Sequence, residues 1–189
     1  LARLGADVIV NDINLQSFEE FDESIGAESV PALLESLGVR SLGLEANICD
    51  ERDAKAMVDK AAAAFGRLDI LVNNAGGNRP QAFVDVDTDS LDFVIDLNVR
   101  AAFRVAQAAA RAMLASGSKG SIVHISSQMG HVGPPKRAVS CLTKHAIEGL
   151  TKAMAVELAP SGIRVNAVAP TFIETPLTKP MLDDPEFRD

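Results

Sequence analysis

A doubly wound α/β fold on a parallel sheet is what the sequence predicts, and three observations predict it. Short apolar runs alternate along the chain with longer stretches of helical period. The runs are apolar enough to be strands covered by helices on both faces. The opening LARLGADVIVND reads as a helix tail, a turn at Gly5, a strand and an acid at its end, which is the second half of a βαβ unit.

In chain order, the strands are expected at Asp7 to Asn11, Ser41 to Ala46, Leu68 to Asn73, Ser121 to Ser126 and Arg164 to Ala169. Between them, Asp50 to Phe65 is Ala-rich and helical, and Ser90 to Ala115 reads as one long helix. A third helix, Ala138 to Leu158, stops before Pro160, which cannot continue it. On that helix Ile147, Leu150, Met154 and Leu158 form one stripe, while Ala146, Gly149 and Ala153 would let a neighbour approach closely. From Thr175 to Asp189 the chain is polar and carries prolines, with no strand after it.

Residues 1–189 are read as one dinucleotide-binding domain truncated at both ends. An acid that holds the adenosine ribose stands about 20 residues after a glycine fingerprint, so Asp12 in that role places the fingerprint upstream of Leu1. Neither GxGxxG nor GxxxGxG occurs in the chain. In the strand order 3-2-1-4-5-6 the missing first strand would pair with the second and the fourth, so its loss leaves two central edges open.

Composition narrows the partners. The chain is 47% hydrophobic and 23% charged but only 4% aromatic, so its core is expected from Ala, Val, Leu and Ile. A net charge of -8 and no basic stripe argue against nucleic acid. No apolar run reaches the length of a membrane span, and a cytoplasmic protein is expected. Cys49, Cys141, His124, His131 and His145 have no metal-ligand spacing, so no metal is expected.

The chemistry lies in five landmarks. Asn73-Asn74-Ala75-Gly76 closes the third strand, Asn98 sits in DLNVRAAF, and Ser126-Ser127 closes the fourth strand in IVHISSQMG. Lys144 follows Ser127 by seventeen residues, and RVNAVAPTFIETP ends the series. In order and spacing these resemble the short-chain dehydrogenase/reductase family, classical type, across nearly the whole chain. The resemblance implies a Rossmann-type fold and a hydride exchanged between a nicotinamide and a small alcohol or ketone. It implies catalytic positions at Asn98, Ser127, Ser140 and Lys144. Cofactor contacts are implied at Asp12, Asn47, Ile48, Asn74, Ala75, Gly76, Lys144, Pro170, Thr171 and Ile173. A homodimer or homotetramer is implied by two Ala-rich helices whose equivalents pair across two-fold axes in the family.

Each landmark has a plainer reading. NNAG alone is good turn chemistry. A mid-helix Asn is mildly unfavourable, and either turns to solvent or, as the resemblance implies, marks a kink that holds a water in a proton relay. Of Ser126 and Ser127 only one faces the cofactor side, and the thirteen-residue spacing to position 140 selects Ser127. A lysine on a solvated face is the plainer reading of position 144; the resemblance instead has it bond the nicotinamide ribose and lower the pKa of a tyrosine four residues earlier. That tyrosine is Ser140 here, in a chain with no tyrosine at all.

An alkyl hydroxyl is a far weaker acid than a phenol near pKa 10, and it reaches roughly 4 Å less far. Cofactor binding and turnover are therefore expected to separate. An engineered change, a natural non-catalytic relative or a sequence error would each place serine there. Two lesser departures are Asn47 where the family commonly has Asp, and Thr171 where it has Gly. Asp12 favours NAD over NADP, because a carboxylate suits a ribose diol and repels a 2′-phosphate; helix capping is its plainer role. The rival functional reading is a catalytically silent dinucleotide-binding protein. A methyltransferase of similar topology is disfavoured by the spacing of Ser127 and Lys144.

Overall fold

A computed structural model describes residues 1–21, 25–175 and 178–183. The chain forms two compact units, one of Leu1–Asn47 with Phe172–Asp189 and one of Ile48–Thr171. In the first, β1 (Val8–Asp12) and β2 (Ser41–Glu45) pair in parallel around α1 (Val30–Ser36). Ser29 starts α1 by accepting a hydrogen bond from Ala32 N at 3.2 Å, and Pro31 occupies the first turn, where its missing N–H costs nothing.

The second unit contains α2 (Glu51–Phe65), β3 (Ile70–Asn73), α3 (Thr88–Ile95), α4 (Ala102–Ser116), β4 (Ser121–Ile125), α5 (Ala138–Leu158) and β5 (Arg164–Val168). Its strands form a parallel sheet in the order β3-β4-β5. The Asp50 carboxylate caps α2, accepting from Arg52 N at 2.8 Å and Asp53 N at 3.0 Å. Gly66 ends the same helix at φ +79°, a left-handed conformation that favours glycine. Asp87 caps α3 through Ser90 N at 2.7 Å.

All five expected strands are present and parallel, with ends within about two residues of those read from the sequence. They pair as two sheets, and the pairings are those that the order 3-2-1-4-5-6 gives to its second through sixth strands. A second difference concerns the faces. In β3–β5 the side of Leu71, Ile122 and Val165 packs against helices, whereas Ile70, Val72 and Val168 on the other side are exposed. Within this unit the helices therefore cover one face of the sheet, not both. The long helix expected over Ser90 to Ala115 is also broken: α3 and α4 are joined by a π-helical turn, Asp96–Ala101.

Small side chains build the core. Ala54 and Val58 of α2 meet Ala101, Val105 and Ala109 of the α4 segment, and Met113 of α4 fills the space against Ile122, Ile163 and Val165. Burying each of these larger side chains contributes about 1.5–3 kcal/mol. Gly120 lets the chain pass over Met113, since a Cβ there would lie 2.3 Å from the thioether sulfur. Among the described residues no helix is long and apolar enough to cross a membrane.

Candidate active site

At the carboxyl end of β3, Asn73 is buried, and its Nδ2 donates to Ala102 O at 2.8 Å, tying the strand to the start of α4. The chain then runs exposed through Asn74, Ala75 and Gly76. Gly77 meets Asn98 through two bonds: Gly77 N donates to Asn98 Oδ1 at 2.8 Å, and Asn98 Nδ2 donates to Gly77 O at 2.9 Å. A Cβ on Gly76 would lie 3.1 Å from the same Oδ1, so glycine is what lets this loop close over the amide.

Asn98 lies in the π-helical turn and is 4% exposed. The solvent-facing alternative is thereby overturned. A π-turn leaves part of the usual backbone ladder unmade, a geometry that recurs at functional sites. The second Nδ2 proton donates to Thr143 Oγ1 at 3.2 Å, and that hydroxyl donates to Ser140 O at 3.1 Å. The amide thus bridges the loop after β3 to α5.

On α5, Ser140 and Lys144 take different partners. The Ser140 hydroxyl, in a residue 7% exposed, donates to Asn78 Oδ1 at 2.5 Å. The Lys144 ammonium donates to Ile125 O at 2.7 Å, at the end of β4. Burial pushes the Lys144 pKa down, because it disfavours the charged form. Burial also lowers that of His124, and the charge of Lys144 adds to the effect. Past β4, Ser126 is buried and Ser127 is half-buried, with Ser127 Oγ accepting from Met129 N at 3.2 Å. Gln128 N donates to Pro170 O at 3.0 Å, which fastens the turn after β4 to the segment after β5.

The structure thus brings Asn98 and Ser140 together through Thr143 and sets Lys144 and Ser127 around the end of β4. Thr171 is exposed beyond Pro170. Ile48 is a core residue, 8% exposed among Ala54, Val58 and Val105, so its side chain is taken up by packing. The other expected contacts lie in the first unit. Asp12 ends β1 with its Oδ1 accepting from Asn14 N at 3.0 Å, Asn47 is exposed, and Ile173 O accepts from Thr178 Oγ1 at 2.5 Å. Thr143 and Asn78 were not legible as site residues in the sequence. No group of three His, Cys, Asp or Glu that could hold a metal occurs among the described residues.

The family model described as Enoyl-(Acyl carrier protein) reductase matches residues 1–189. A solved short-chain type dehydrogenase/reductase from Mycobacterium marinum superposes with a TM-score of 0.85 at 35% identity, over 96% of this chain and 69% of that one. The chain belongs to the short-chain dehydrogenase/reductase family. Within the family, the 3-oxoacyl-[acyl-carrier-protein] reductase FabG of Staphylococcus aureus is 41% identical over 158 residues, or 84% of this chain and 64% of the relative. The chain therefore spans less than two thirds of that relative's length. An NAD+-bound xylitol dehydrogenase gives a TM-score of 0.83 at 31% identity, covering 92% of this chain and 64% of that one. ElxO with NADP bound gives 0.84 at 30% identity, covering 98% and 71%.

Proposed function

We propose that this protein is an oxidoreductase using a nicotinamide dinucleotide, NAD in preference to NADP, on a small alcohol or ketone, with turnover held low by Ser140. The observation that carries the reading is the linkage Asn98–Thr143–Ser140 beside Lys144, assembled at the carboxyl ends of β3 and β4. Such strand ends are where dinucleotides lie in open α/β sheets.

The residues fit the group. Exposed backbone at Asn74, Ala75 and Gly76 offers a surface for close approach, and Lys144 has two N–H donors beyond the one given to Ile125 O. In this reading Lys144 holds the nicotinamide ribose hydroxyls, with Pro170, Thr171 and Ile173 along the ring side. Asp12 holds the adenosine ribose and excludes a 2′-phosphate, and Asn47 with the backbone of Ile48 meets the adenine. When bound, the nicotinamide supplies or accepts a hydride at the substrate carbon. Ser127 Oγ orients the substrate oxygen.

Proton transfer is the weak step. The Ser140 hydroxyl is a poor acid, and its single proton is already committed to Asn78. The neighbours support both cofactors, since the xylitol dehydrogenase is NAD+-bound and ElxO has NADP bound; the Asp12 charge favours the former. We infer a homodimer or homotetramer, supported by exposed Phe103 and Leu114 on α4 and Val156 on α5.

The test is to titrate NADH and NADPH by fluorescence and then assay Ser140→Tyr on polyols, hydroxy acids and ketones. NADH is expected to bind more tightly than NADPH, and the tyrosine is expected to raise turnover about 10²- to 10⁴-fold. NADH binding with no gain in rate would favour the silent dinucleotide-binding reading. Equal or tighter NADPH binding would overturn the role of Asp12.

A further inference from the structure

Buried polar atoms without hydrogen-bond partners are rare in folded proteins, because each forfeits the water it gave up. Among the described residues, three such atoms gather behind Lys144: His124 Nε2, Ser126 Oγ and Glu148 Oε1. His124 is 1% exposed and Ser126 is 3% exposed. Neither has a place in the chemistry above.

Their geometry converges. His124 and Ser126 alternate along β4 and its extension, so they face the same side of the sheet. Glu148 lies on α5 one turn after Lys144. Gly130 closes the space between strand and helix: a Cβ there would lie 2.9 Å from Ser126 Oγ and 3.1 Å from Glu148 Cγ. On the outer side, the exposed His131 has its Nε2 3.5 Å from Glu148 Oε1, too long for a good hydrogen bond.

The polarity of the three groups is set by their neighbours. Because Asn73 Nδ2 donates to Ala102 O, the same nitrogen is also the donor toward His124 Nδ1 at 3.3 Å. His124 Nδ1 therefore accepts, and the ring proton resides on Nε2. This leaves an orphan donor at His124, a hydroxyl that both donates and accepts at Ser126, and an orphan acceptor at Glu148. No direct bond joins them. Positions two apart on a strand are separated by about 6.6 Å, well beyond the roughly 2.8 Å of one direct hydrogen bond. Buried waters typically make about three hydrogen bonds to groups of this kind.

We propose that His124, Ser126 and Glu148 bind internal water in a pocket closed by Gly130, so that a continuous hydrogen-bond chain runs from Glu148 on α5 to Asn73 at the end of β3. None of the three residues is among the cofactor contacts proposed above, and the site does not depend on the oxidoreductase reading. It places an ordered, exchangeable hydrogen-bond path directly behind the ammonium of Lys144.

The test is NMR of the protein labelled with 15N-histidine, its three imidazoles assigned through His131→Gln and His145→Gln. The expected result is His124 neutral with its proton on Nε2, and a cross-peak from that proton to bound water. Ser126→Ala and Gly130→Ala are expected to abolish the cross-peak, the first by removing a partner and the second by filling the space. Glu148→Gln is expected to keep it, because an amide oxygen still accepts. A proton on Nδ1, or no water cross-peak in the unsubstituted protein, would overturn the proposal even if every variant failed to fold. So would a cross-peak that survives in folded Ser126→Ala and Gly130→Ala.

Discussion

Replacing Asn98 should destabilise the protein by an amount readable from its three bonds. Alanine at this position strands the N–H and the C=O of Gly77, while Thr143 keeps the bond that it donates to Ser140 O. A stranded buried group costs about 1–3 kcal/mol, and half-buried Gly77 belongs at the lower end, so Asn98→Ala should cost about 2–4 kcal/mol. That is a large part of a domain stability of about 5–15 kcal/mol. With a urea m-value of about 2 kcal/mol/M, the unfolding midpoint should fall by roughly 1–2 M at unchanged slope. Asn98→Asp separates shape from hydrogen bonding. It keeps an acceptor for Gly77 N but sets a carboxylate oxygen against Gly77 O, which raises its folded pKa. A carboxyl raised on folding destabilises progressively as pH climbs above the unfolded value near 3.9. Asn98→Asp should therefore lie closer to the unsubstituted protein at pH 4 than at pH 7. An Asn98→Ala unfolding free energy within about 0.5 kcal/mol of the parent, or an Asp variant indifferent to pH, would refute the bridging role.

Two further expectations concern the core. The folded state holds His124 neutral, with a pKa depressed from 6.5 by burial and then by Lys144. Below pH 6.5 the unfolded chain takes up a proton that the native chain refuses. Stability should thus fall as pH drops below 6.5, and thermal melts of His124→Asn at pH 7.5 and 5.5 should show a smaller difference than the parent. Gly120→Ala drives a methyl into the Met113 thioether and should cost about 1–3 kcal/mol in urea unfolding. Gly133→Ala, with open space at its Cβ, should be near neutral. Equal effects at the two glycines would mean that Met113 moves aside freely.

The strands were legible because their apolar runs are short and bounded, and Asn98 was legible because an amide is out of place in mid-helix. The π-turn was not, since no residue pattern distinguishes it from a continuous α-helix. The alternation that separates Ser126 from Ser127 was correctly read: one is buried and the other half-buried. That the Ile48 side chain enters the core while its neighbour in sequence, Asn47, is exposed was not legible, because both stand in one short loop after β2. Thr143 and Asn78 gave no signal, because each matters only through a partner 45 or 62 residues away. Neither a helical threonine nor a loop asparagine carries that distance in its type.

Asn78 also changes what serine at position 140 means. Its bond to the Ser140 hydroxyl joins the loop after β3 to α5, so serine here is a structural partner as well as a missing phenol. Tyrosine at 140 would carry its hydroxyl past Asn78, and the short bond would be lost. Asn78→Ala should therefore destabilise the parent by about 0.5–1.5 kcal/mol, the usual net worth of a hydrogen bond, and leave Ser140→Tyr almost unmoved. The difference between the two effects is the coupling energy, measured by urea unfolding of the parent, both single variants and the double variant. Additive effects would mean that Asn78 and Ser140 touch without depending on each other. The loop would then be held by Asn98 alone, and the low turnover expected of this protein would rest wholly on the acidity of an alcohol.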